Sequence, residues 1–168
     1  DEPGEMGDAL PFVELDASNP LVHSVSVGVT FACALSGPVE QPDGVPRAHW
    51  SAHENAAYGG GRIKCWGDNT FGQLGQNSHA PIRYSVKGAP WIDLGGRAAL
   101  QVSAGFAHAC AALVPAGVDA AAADETVSPE VVCWGANDAG QLWRDAAGAD
   151  VRYVGDDAGE MPESLVPA

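Results

Sequence analysis

Two strings of eleven residues, CWGDNTFGQLG from Cys65 to Gly75 and CWGANDAGQLW from Cys133 to Trp143, share Cys-Trp-Gly, an Asn and Gly-Gln-Leu in register. A catalytic loop occurs once in a chain, whereas a structural turn recurs as often as the unit that contains it. Repetition therefore constrains the fold more than any other feature here. PFVELD from Pro11 matches PWIDLG from Pro90 at an offset of 79, and VSVGVTFACA from Val25 matches VSAGFAHACA from Val102 at 77. The Cys-Trp-Gly strings lie 68 apart, and the opening DEPGEMGDALP is echoed by DDAGEMPESLVP from Asp156 at 155, the length of two units.

Residues 1–80 are expected to form a first unit with an insertion at about 36–61, and residues 81–155 a second with an insertion at about 114–130. Residues 156–168 open a third. The unequal offsets come from the connectors: 32 positions separate Cys33 from Cys65, but only 23 separate Cys110 from Cys133. Both intervals are rich in Pro, Gly and small polar residues and read as surface loops.

Within each unit the apolar residues alternate or come in short runs, FVEL, HSVSVGV and RIKCW in the first and WIDL, LQVSAGF and VVCW in the second. Such runs are too short for helices and carry the β-branched and aromatic bias of strands. Three or four short antiparallel strands per unit follow. A lone sheet of that size leaves two edges unpaired and an apolar face uncovered, and stacking unit against unit is the expected remedy.

Composition narrows the classes of function. Acidic residues outnumber basic ones 22 to 8, a formal charge of -14, so the surface repels phosphate backbones and nucleic-acid binding is not expected. The longest Ala-rich stretch, Ala109 to Ala123, is broken by Pro115, Gly117 and Asp119, and no run approaches the roughly 20 apolar residues of a spanning helix. Membrane insertion is not expected either. The start on Asp1 without Met reads as processing from a precursor or as an internal piece of a longer chain.

The strings VSAGFAHACAAL, VVCWGANDAGQL and CWGDNTFGQLG resemble the regulator-of-chromosome-condensation repeat, and the GEMGDALP element resembles a bacterial secreted subgroup with paired cysteines, related to propellers that inhibit β-lactamases. WD and kelch repeats fit less well, because their signatures and shorter periods are missing. The resemblance implies an all-β fold of four-stranded propeller blades, here two blades and the start of a third within a larger seven-bladed ring.

The motif reads as an architectural device. Trp66 and Trp134 end a strand and cover the face between blades, while Gly67 and Gly135 let the chain turn without a Cβ. Asn69 and Asn137 hydrogen-bond turn backbone, and Gly72 and Gly140 supply a positive φ. Gln73 and Gln141 satisfy buried backbone groups beside the core residues Leu74 and Leu142. Four cysteines allow three pairings, but two like units pick out Cys33 with Cys65 and Cys110 with Cys133. Zinc is the competing reading, although neither pair has the two-to-four-residue ligand spacing of structural zinc sites. Disulfides imply an extracellular, cell-surface, periplasmic or other oxidising setting.

No reaction assembles from the remaining residues, and no metal or cofactor is expected. His108 stands where the first unit has Phe31, which favours a packed core histidine. His49 and His53 have helical ligand spacing but no His-Glu-x-x-His pattern. GDN and GDDAGE lack the alternating oxygens of a calcium loop, and in a strand Asp156 and Asp157 would point apart. The expected function is a non-catalytic extracytoplasmic interaction module that binds partners through rim loops, with His49, Trp50, His53 and Tyr58 of the first insertion as candidate contacts. Two alternatives are a structural subunit of an extracellular or lumenal assembly and a secreted enzyme inhibitor. The partners would be other protein chains or further blades of the same polypeptide.

Overall fold

The computed structural model describes residues 12–16, 22–37, 61–118, 127–143 and 152–161. The described residues are all-β and form two antiparallel sheets. The first holds β1 (Val22–Val27), β2 (Phe31–Ser36) and β3 (Arg62–Gly67) in that order. The second holds β4 (Ala99–Ala104), β5 (His108–Leu113), β6 (Glu130–Ala136) and β7 (Tyr153–Val154), again in sequence order. The insertions are slightly narrower than the connectors suggested, because Ser36 still pairs with Arg62 and Leu113 with Glu130.

Both units begin with the same tight hairpin. Gly28 N donates to Phe31 O and Gly105 N to His108 O, each at 2.8 Å. A Cβ on Gly28 would come within 2.3 Å of the Phe31 ring, and one on Gly105 within 2.2 Å of the His108 imidazole, so the following aromatic packs directly over a bare backbone. The two sheets differ in strand number. In the second sheet Gly135 and Ala136 pair with Val154 and Tyr153, but in the first only Gly67 finds a partner, in an isolated bridge to Ile82. Gly67 and Ile82 exchange both backbone hydrogen bonds, at 2.8 and 3.0 Å.

Alternation along the strands gives each sheet two unlike faces. In the first sheet Ser26, Cys33 and Cys65 share one face, and Val27, Ala32 and Trp66 the other. In the second, Ser103, Cys110 and Cys133 lie opposite Ala104, Ala109 and Trp134. β4 lies against all three strands of the first sheet, and the core joins Cys33, Ile63 and Cys65 to Val102, Leu113, Val132 and Trp134. The cysteine face of the first unit therefore meets the tryptophan face of the second.

Exposure follows from that polarity. Val25 is 55% exposed while its repeat counterpart Val102 is 5% exposed, and Ile63 is fully buried while its counterpart Val131 is 44% exposed. Like residues differ because the contact between units covers one member of each pair.

Candidate functional site

The repeated string forms a self-bonded turn in both units. Asn69 Oδ1 accepts from Leu74 N at 2.9 Å, and Asn137 Oδ1 accepts from Leu142 N at 3.0 Å. Gln73 Oε1 accepts from Phe71 N and Gln141 Oε1 from Ala139 N, both at 2.8 Å. The glutamines thus close their own turns. In the first turn Asn69 Nδ2 also donates to the carbonyls of Ser78 and Ala80, which tethers the chain leaving the turn. Asp68 accepts from Thr70 and from Gln73 Nε2. Burial would raise the Asp68 carboxyl, but these hydrogen bonds outweigh it and hold the group below its usual range. Gly67 and Gly135 take φ of 117° and 100°, and Gly72 and Gly140 take 72° and 75°, so the glycines are fixed by backbone conformation.

The two tryptophans of the motif differ in what they touch. Trp134 is fully buried and its Nε1 donates to Gln73 O across the units at 3.0 Å, while Trp66 is half-buried on the open face. Trp134 lies inside β6, two residues short of its end, so it is clamped between the sheets. Leu74 and Leu142 are both buried in the core. Ser26 Oγ accepts from Ala104 N at 2.8 Å, a second bond between the units.

The disulfides pair Cys33 with Cys65 and Cys110 with Cys133, each across directly opposed strand positions with Cα atoms 4.0 and 4.1 Å apart. Two disulfides suggest an oxidising compartment. Cys33 and Cys65 are buried between the units, whereas Cys110 and Cys133 are only partly covered. Among the described residues no helix is long and apolar enough to cross a membrane.

Lys64 occupies the position of Val132 and was not singled out by the sequence. It is buried, and its Nζ donates to Leu15 O at 2.5 Å and Val86 O at 3.3 Å while lying 4.6 Å from the Trp91 ring centroid. The Arg62 guanidinium lies 4.3 Å from the same centroid. Burial pushes the Lys64 ammonium below its ordinary pKa; Asp16 opposes the shift and Arg62 adds to it. His108 is half-buried over Gly105, and loss of water lowers its pKa.

Asp156 and Asp157 do not point apart. They follow β7 in a bend, where Glu160 Oε2 accepts from the amides of Gly155, Asp156 and Asp157 and draws the backbone into a tight loop. Their carboxylates and a ring nitrogen of His79 lie within 4.8 Å of one another, a donor set that could hold a cation. His79 Nδ1 faces Thr70 O at 3.1 Å, and Nε2 pairs with Asp156 Oδ2 at 3.4 Å. Burial raises the Asp156 carboxyl, and the neighbouring Glu160 raises it further. The candidate contacts His49, Trp50, His53 and Tyr58 lie outside the described residues.

No family model and no curated protein matches the chain. Among solved structures it is similar to a chain in the crystal structure of Kap60 bound to yeast RCC1 (Prp20), at 17% identity with a TM-score of 0.37. The match covers 68% of this chain and 19% of that one, so this chain spans about a fifth of its length.

Proposed function

We propose that the chain is a non-catalytic, extracytoplasmic protein–protein interaction module built of β-propeller repeats of the regulator-of-chromosome-condensation type. One observation carries this reading: the two sheets stack through unlike faces, cysteine side against tryptophan side, a relation that can be repeated from unit to unit. The duplicated Asn and Gln turn locks supply a rigid frame, and loops set on such a frame are where partners bind. The disulfides fit a secreted or lumenal setting, within which the related bacterial subgroup and its inhibitors also fall.

A second reading, a structural subunit of a larger assembly, is favoured by the open faces carrying Val25 and Val131. The rim-loop reading is tested by comparing the chain with a variant in which residues 38–60 are replaced by a two-residue Asn-Gly turn. Both are used as bait against extracellular protein and scored by quantitative mass spectrometry. Partners captured by the parent and lost by the variant support the proposal; identical capture removes the loop from it.

A further inference from the structure

We propose that His79, Asp156 and Asp157 form a binding site for a divalent cation of the zinc class, which clips the turn of the first unit to the bend that follows β7. A ring nitrogen of His79 and one oxygen from each aspartate lie within 4.8 Å of one another, so small side-chain rotations bring all three onto one ion. The donor set is mixed. Calcium and magnesium take oxygen ligands, whereas zinc accepts imidazole nitrogen together with carboxylate oxygen, and one nitrogen with two carboxylates selects the zinc class. The site is independent of the partner-binding reading and needs only the packing of the bend on the turn.

The histidine supplies a second observation. The carbonyl oxygen of Thr70 can only accept, so the 3.1 Å contact from His79 Nδ1 puts the ring proton on Nδ1. A backbone carbonyl is a usual partner for the second nitrogen of a metal-binding imidazole, because it fixes the tautomer and the ring orientation. Nε2 is left with a lone pair aimed at Asp156 Oδ2, 3.4 Å away. Two acceptors face each other in this way only with a positive charge between them. A proton held there would draw them to roughly 2.7–2.9 Å, whereas two ligands roughly 2.0–2.1 Å from a tetrahedral zinc stand roughly 3.3–3.4 Å apart. The gap between His79 and Asp156 matches the shared metal ion.

The surroundings hold the donors in place without consuming them. Asn77 exchanges hydrogen bonds of 3.0 and 2.7 Å with Met161, and Ser78 N donates to Gly155 O at 3.3 Å, so the two ligand-bearing segments are fastened beside the site. Glu160 Oε2 is spent on three amides of the bend and shapes the site rather than ligating. Gly72 leaves room for the bend, since a Cβ there would lie 2.6 Å from Asp156 N. The Asp156 side chain is 11% exposed and that of His79 55%, so an ion enters from the His79 and Asp157 side. Two aspartates beside Glu160 on a chain of charge -14 repel one another, and a dication offsets that repulsion.

Asp157 separates a metal site from a simple ion pair, because it is Asp156 that pairs with His79. Zinc is titrated calorimetrically into the chelator-treated full chain and into H79A, D157N and H49A/H53A, the last because those two histidines have ligand spacing of their own. All four cysteines are bridged, so no thiolate competes for the metal. H49A/H53A should still bind one zinc, and zinc should raise the unfolding temperature of the parent. H79A and D157N should each lose affinity by at least the roughly 10–100-fold that removal of an outer-shell partner costs, with circular dichroism unchanged. Excess Mg²⁺ should not displace the zinc. Zinc affinity unchanged in either H79A or D157N, loss of all binding in H49A/H53A, displacement by Mg²⁺, or no binding to the parent would each overturn the site and leave His79 and Asp156 as an ion pair alone.

Discussion

Trp134 Nε1 donates to the carbonyl oxygen of Gln73 at 3.0 Å, joining the strand of one unit to the turn of the other across 61 residues. The indole is fully buried, so its replacement costs both packing and a hydrogen bond. Trp134→Ala should destabilise the chain by about 3–5 kcal/mol, and Trp134→Phe by about 1–2 kcal/mol through the orphaned carbonyl. Trp66→Ala, at the equivalent place on the open face, should cost well under half as much as Trp134→Ala. Urea denaturation of the three variants checks the order.

The two disulfides should differ in accessibility. With limiting reductant under native conditions, Cys110–Cys133 should open first, because it is partly uncovered while Cys33–Cys65 is sealed between the sheets. Alkylation followed by peptide mass mapping reads this directly. Removing either bridge frees a loop of 32 or 23 residues, about 3–4 kcal/mol in the chain-entropy estimate.

His108 should make the chain sensitive to mild acid. Burial lowers its folded pKa from the ordinary 6.5, so below pH 6.5 the unfolded chain takes up a proton that the folded chain refuses. The contribution of this residue is complete above pH 6.5 and is lost as pH falls through the folded value. His108→Phe, which restores the residue found at Phe31, should flatten the stability profile just below pH 6.5 relative to the parent.

Asn69 is fully buried and bonds three backbone groups, whereas Asn137 is half-buried. Asn69→Ala should cost about 2 kcal/mol or more by leaving buried groups unpaired. Asn137→Ala should cost less, since water reaches its turn. Thermal or urea unfolding separates them.

Trp143 holds φ of 50° with its side chain exposed, in the place where the first unit has Gly75 at φ 62°. A left-handed conformation is unfavourable for a residue with a Cβ, so Trp143→Gly should stabilise the isolated chain by about 1 kcal/mol. Its unfolding midpoint should move upward accordingly.

Much of this fold was legible because each feature is written twice. Cys33 and Cys110 begin in like strings, as do Cys65 and Cys133, and a turn that contains Asn, Gly and Gln at fixed spacing bonds to itself wherever it occurs. What stayed hidden depends on groups far apart in sequence. Alternation says that Cys33 and Trp66 lie on opposite faces, but not which face meets the next unit. Lys64 looks like a surface charge until Leu15 and Val86 turn their carbonyls toward it. The approach of His79 to Asp156 and Asp157 arises from the docking of a late bend on an early turn, which Asn77 fastens by exchanging two hydrogen bonds with Met161.

The most direct test of the stacked sheets is the Trp134 indole proton, followed by amide-type hydrogen exchange and nuclear Overhauser spectroscopy on labelled protein. Burial beneath the first unit predicts slow exchange and cross-peaks to Gly75, with the exposed Trp143 indole exchanging fast. Equal exchange at Trp134 and Trp143, with no cross-peak from Trp134 to residues of the first turn, would contradict the face-to-face arrangement of the two units.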